Sequence, residues 1–138
     1  MYSVKTEKFA LELTPGVHQD DFPYPENNSV HIKVSSYGFS ADTFMDIDET
    51  RLVGFAVALN ELYETLRGSV ILEEPYGMHT YVQFAAEKNG HISVWGRLNT
   101  QNAFFRHEQM LEFQNEIDQT DLRDFAKALY NDYGKYAE

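Results

Sequence analysis

Apolar residues fall at every second position through most of this chain and at every third or fourth in two stretches, and that change of period marks out its elements. In "EKFALEL" (7–13), Phe9, Leu11 and Leu13 alternate with polar neighbours, the pattern of a strand with one buried face. "SVHIKVSSYGFSADTFMDI" (29–47) places Val30, Ile32 and Val34 on one face, turns at Tyr37–Gly38 and returns with Phe39, Ala41, Thr43 and Met45 expected inward, which is a hairpin. Between the two, "TPGVHQDDFPYPENN" holds three of the four prolines and reads as a loop of about fifteen residues, longer than most connections in compact folds.

The period then lengthens. "DIDETRLVGFAVALNELYETLRG" sets Leu52, Phe55, Ala56, Leu59, Leu62, Tyr63 and Leu66 on one helical face, with Asp48 or Thr50 as N-cap and Gly68 as the stop. Four strands are predicted next: "SVILEE" (69–74), "MHTYVQFAAE" (78–87), "GHISVWGRLN" (90–99) and "HEQMLEFQNEI" (107–117). "PYG" and "EKNG" are short, turn-forming links, so neighbouring strands pair antiparallel, while "TQNAFFR" (100–106) reads as a further turn. The chain closes on a second amphipathic helix carrying Leu122, Phe125, Ala126, Leu129, Tyr130 and Tyr133, with Gly134 after it. The order β-β-β-α-β-β-β-β-α implies one α+β domain over residues 1–138, a two-layer arrangement with both helices on one face of a largely antiparallel sheet. No internal repeat or linker is apparent in it.

Composition narrows the chemistry. With 138 residues, 43% of them hydrophobic and 14% aromatic, the chain can close a core of its own. Cysteine is absent, so disulfides, thiolate metal sites and a cysteine nucleophile are excluded. No stretch has the length of a signal peptide's apolar core or of a membrane span, which points to the cytoplasm. Eleven basic residues against 22 acidic ones give a formal charge of −11, which disfavours nucleic acid and anionic membranes and favours a basic protein.

Asp118, Asp121 and Asp124 stand three apart, but on a helix they fan across about 120° instead of converging, so they read as a cap and first-turn charges at a helix start. "DIDET" (46–50) opens like a calcium loop and then fails, because Arg51 stands where the loop needs glycine. His18, His31, His79, His91 and His107 show no i, i+4 pair, and no phosphate loop, dinucleotide fingerprint or nucleophile elbow occurs, so no metal, cofactor or catalytic residue is assigned. The outer face of the sheet is a better candidate for function. With Leu111, Phe113 and Ile117 inward, Glu108, Glu112 and Glu116 face out, and the preceding strand presents His91, Trp95 and Arg97 on its polar side. Carboxylates around one large aromatic suit a grip on a basic partner, with Asp20 and Asp21 of the long loop adding charge.

In order along the chain, "VHIKVSSYGFSADTFMDI", "LVGFAVALNELYETLRGSVILE", "GHISVWGRL" and "LEFQNEIDQTDLRDFAKAL" resemble the WapI-type immunity proteins that protect bacteria from their own contact-dependent toxins. The marks are Gly38-Phe39-Ser40 after a strand, Leu66-Arg67-Gly68 at a helix end, Gly90-His91-Ile92, and Asp118-Gln119-Thr120 opening the last helix; Phe44 stands where relatives often show tryptophan. The resemblance implies a non-catalytic inhibitor that binds a toxin domain, commonly a nuclease. Two other readings stay open: a small metal-dependent or small-molecule enzyme using His79, His91 or His107 with nearby carboxylates, and a structural subunit assembled through Trp95 and surface tyrosines. The oligomeric state is left open.

Overall fold

A computed structural model of the chain describes residues 1–16, 29–75, 80–100 and 107–137. It contains β1 (Tyr2–Lys5), β2 (Phe9–Pro15), β3 (Ser29–Ser36), β4 (Phe39–Asp46), α1 (Glu49–Thr65), β5 (Ser69–Glu73), β6 (Tyr81–Ala86), β7 (His91–Asn99), β8 (Met110–Asp118) and α2 (Gln119–Tyr133). The fold is α+β, and the expected succession of strands and helices is present, preceded by β1. The strands form two antiparallel sheets of four, ordered β1-β2-β3-β4 and β5-β6-β7-β8. Most of the long loop expected after β2 (17–28), residues 76–79, which take in the end of the "PYG" link and the start of the strand expected over 78–87, and residues 101–106 lie outside the described residues.

The two-residue turn joining β3 to β4 has both residues at positive φ, Tyr37 at 52° and Gly38 at 91°, the geometry whose twist matches a hairpin. It fixes the register Ser36↔Phe39 through Ser29↔Asp46. Val30, Ile32, Val34, Thr43 and Met45 are buried as their alternation predicts. Phe39 departs from expectation: it lies at the strand's end, beyond the reach of the core, and is 69% exposed.

Contrary to the expectation of a chain without internal repeats, the two halves repeat one another. The last strand of each sheet runs straight into a helix, and the two junctions share a sequence: "IDETRLVGFAVALNELY" (47–63) and "IDQTDLRDFAKALYNDY" (117–133). Ile47, Asp48, Thr50, Leu52, Phe55, Ala56, Ala58, Leu59 and Tyr63 recur as Ile117, Asp118, Thr120, Leu122, Phe125, Ala126, Ala128, Leu129 and Tyr133. Four strands and a helix are thus built twice.

The two units are not self-contained. Helix α1 packs on β5 and β6 of the second sheet, α2 packs on β1 of the first as well as on β8, and the helices pack on each other. The buried side chains of both sheets and both helices join in one hydrophobic cluster. Phe84 of β6 stands between the repeated phenylalanines, with ring centroids 6.1 Å from Phe55 and 6.0 Å from Phe125. The Tyr2 hydroxyl donates to Asp132 of α2, tying down β1; burial, then that bond, pushes the hydroxyl above the ordinary tyrosine range.

Both helix starts follow their sequence signals. Asp48 Oδ1 accepts from the Arg51 backbone N–H at 2.8 Å, and at α2 the Asp118 N–H donates to Asp121 Oδ2 at 2.9 Å. Asp121 therefore serves the helix start directly. Helix α1 ends earlier than Gly68, since Leu66 adopts a left-handed conformation and its N–H closes on Leu62 O at 2.8 Å. The Asp48→Ala variant is expected to lose about 1 kcal/mol of stability, read from its urea midpoint, because it orphans the Arg51 N–H.

Candidate functional site

The second sheet turns one side to the core and the other to solvent. On β7, Ile92, Val94, Gly96 and Leu98 are buried, so His91, Ser93, Trp95 and Arg97 share the outer side and are half-buried there. On β8, Phe113 and Ile117 are buried and Leu111 and Asn115 point the same way, leaving Met110, Glu112, Gln114, Glu116 and Asp118 exposed. The antiparallel register sets Arg97 opposite Glu112, Trp95 opposite Gln114, Ser93 opposite Glu116 and His91 opposite Asp118.

Trp95, Arg97, Glu112 and Glu116 are therefore brought together on one face. Glu108 is exposed just ahead of β8, and Asp20 and Asp21 lie outside the described residues.

Glu112 on this face already holds a partner, and Glu116 and Asp118 lie close to a ring nitrogen that makes no hydrogen bond to either. Arg97 Nη2 and Nε reach Glu112 Oε1 at 2.9 and 3.1 Å. His91 Nδ1 stands 3.1 Å from Glu116 Oε1 and 3.2 Å from Asp118 Oδ1. The Arg97–Glu112 pair sits in a high dielectric and is worth at most about 1 kcal/mol, so an incoming cation can displace it at little cost. From His107 to Asp118 the chain has no Lys or Arg of its own.

Trp95 is flanked in register by Gln83 on β6 and Gln114 on β8. Beneath this face Gly96 allows a close approach. A Cβ there would come within 2.3 Å of the Tyr81 backbone O and 3.0 Å of the Phe113 ring. The Phe113 ring in turn meets Phe9 of β2 at 5.8 Å, linking the sheets.

The first sheet carries a related outer face. His31 stacks on Phe44 with centroids 4.7 Å apart and pairs with Asp42 through Nε2. At the seam between the sheets, Asn115 Nδ2 donates to Ser36 Oγ at 2.9 Å, and Thr43 Oγ1 donates to Asn99 O at 2.8 Å.

Beside that seam lie exposed apolar side chains that alternation alone does not single out. Phe39, Tyr37 and Met110 are 69, 65 and 56% exposed and border the gap between β4 and β8. The one signal that could have found them is position, since each stands at or next to the end of a strand. Among the described residues no group of three or more His, Asp or Glu is placed to hold a metal ion; His79 is not among those residues. No described helix is long and apolar enough to cross a membrane.

No curated protein matches the sequence. Among solved structures, the plant transcriptional regulator PBF-2 superposes with a TM-score of 0.48 at 10% identity, over 94% of this chain and 78% of that one. The model of the WapI-like immunity protein family matches residues 6–137, from the end of β1 to beyond the end of α2, and so takes in every element after β1. The chain belongs to that family of immunity proteins.

Proposed function

We propose that this protein is a non-catalytic inhibitor that acts in the bacterial cytosol by binding the toxic domain of a contact-dependent toxin. Its membership of the immunity family carries this reading. The toxin domain is basic, as expected of a nuclease that grips phosphates, and it meets the outer face of the second sheet. Glu112 on that face is held by an exposed pair to Arg97, and Glu116 stands beside His91 without a hydrogen bond from its ring; lysines or arginines of the partner take these carboxylates on docking. A formal charge of −11 adds long-range attraction.

The test is binding to the purified toxin domain encoded beside this chain. Association is expected to be one to one, and its rate constant to fall roughly tenfold between ~20 mM and ~500 mM salt. The Glu112→Gln/Glu116→Gln double variant is expected to slow association several-fold. Absence of binding at low salt would remove the proposal.

A further inference from the structure

Two strands with open edges meet beside the outer face. β4 ends the order β1-β2-β3-β4 and β8 ends the order β5-β6-β7-β8. Between them runs a groove of about 380 Å³. One wall is the continuous run Phe39 to Thr43 of β4; the other is Met110 and Leu111 of β8 with Leu98–Thr100. The bond from Thr43 to Asn99 O ties the two walls together, while the exposed Phe39 and Met110 stand on opposite sides of the groove. A second hollow continues past Tyr37 and Phe39 to Glu112 and Gln114, so the groove opens onto the acidic face.

The hairpin turn decides what the β4 edge offers. A two-residue turn makes Ser36 and Phe39 a hydrogen-bonded pair, so the intervening residues Ser40, Asp42, Phe44 and Asp46 direct their N–H and C=O groups away from β3. Asp46 bears this out, because its N–H is taken from the open side by Glu74 Oε2 at 2.8 Å. Open edges are commonly guarded by lysine or proline. Here β4 carries Asp42 and Asp46, residues 107–118 carry Glu108, Glu112, Glu116 and Asp118, and neither run has a Lys, Arg or Pro.

We infer that this groove takes an extended, Lys- or Arg-bearing segment of the toxin domain as a fifth strand on β4. The segment bonds to the outward backbone of Ser40 and Asp42, and its apolar side chains lie against Phe39 and Met110. The carboxylates on both edge strands favour a basic strand over a neutral one, and they disfavour a second copy of this chain, which would set acid against acid. The inference rests on the proposed function and assigns the anchoring contact for the same partner. The outer face steers; the groove holds.

The experiment measures the dissociation constant for the adjacent-gene toxin domain with four variants of the full chain. Ser40→Pro removes one outward N–H and leaves the β3–β4 ladder intact, whereas Ser40→Ala keeps that N–H. Phe39→Ser and Met110→Ser remove the apolar side chains on the two walls. All three positions are exposed, so unfolding midpoints serve as the control for folding.

Ser40→Pro, Phe39→Ser and Met110→Ser are each expected to weaken binding by about tenfold or more, mainly through faster dissociation, with Ser40→Ala near the parent. Near-parental binding by Ser40→Pro and Phe39→Ser, alongside slowed association of the Glu112→Gln/Glu116→Gln variant, would overturn the groove and leave the proposed function standing. Equal losses for Ser40→Ala and Ser40→Pro would overturn strand addition. A concentration-dependent dimer dissolved by Ser40→Pro would put a second copy on the edge and overturn the assignment. Failure of the parent chain to bind would remove the inhibitor reading itself.

Discussion

Truncating Phe84 to alanine is expected to cost about 3–5 kcal/mol, the range for removing a buried phenylalanine that its surroundings cannot collapse to replace. Collapse is blocked on two sides. Phe55 approaches from α1 and Phe125 from α2, and each is anchored in its own helix by the flanking buried Leu52 and Leu59, or Leu122 and Leu129. The void would open where both helices meet the second sheet. Against a total stability of about 5–15 kcal/mol, the loss leaves a chain close to its unfolding threshold at 37 °C. A urea titration followed by far-ultraviolet circular dichroism reads it directly. A midpoint shift worth less than about 1 kcal/mol would mean that the helices can close over the gap.

Adding a single methyl group at Gly96 is expected to cost about 2–3 kcal/mol, at the upper end for overpacking. A flexible side chain could yield, but the nearest atom to the new Cβ, at 2.3 Å, is the Tyr81 carbonyl oxygen of the neighbouring strand. The Phe113 ring closes the other side at 3.0 Å and is itself stacked on Phe9. Relief therefore needs β6 to move from β7, or the sheets to part at that stack. Thermal unfolding of Gly96→Ala measures the cost. Pairing it with Phe113→Leu tests the route, since a smaller side chain at 113 should recover part of the loss if the ring is the obstacle.

The two helices were legible because each needs only a local apolar stripe and a capping carboxylate, and both are written within one short stretch. Alternation likewise found the buried faces of β2, β3, β7 and β8. β1 escaped because Tyr2–Lys5 is too short to establish a period, and its partner on α2, Asp132, lies at the far end of the chain. The division into two sheets is set by non-local contacts such as Thr43 to Asn99 and Ser36 to Asn115, which no local pattern encodes.

The repeat was present as literal sequence at 47–63 and 117–133, yet the strands before it keep only their alternation, so a scan for whole elements passes over it. For the candidate face, alternation correctly grouped Trp95 and Arg97 on one side and Glu112 and Glu116 on the other strand. Pairing of Arg97 with Glu112 and the closeness of His91 to Glu116 appear only once the β7–β8 register is known. Phe39 was assigned to the wrong environment because alternation states which side a residue points to, and not whether anything lies above it.

The cross-packing of the two repeated units gives the chain the layout of a symmetric dimer whose subunits have been joined end to end. In a true dimer every surface appears twice, and a change that suits a partner on one side is imposed on the other. Joined, the halves are free to diverge: Gly54 and Val57 on α1 correspond to Asp124 and Lys127 on α2, and His31 of the first sheet, opposite Phe44, corresponds to Trp95 opposite Gln114. One scaffold thereby presents two unlike sides while keeping a single shared interior.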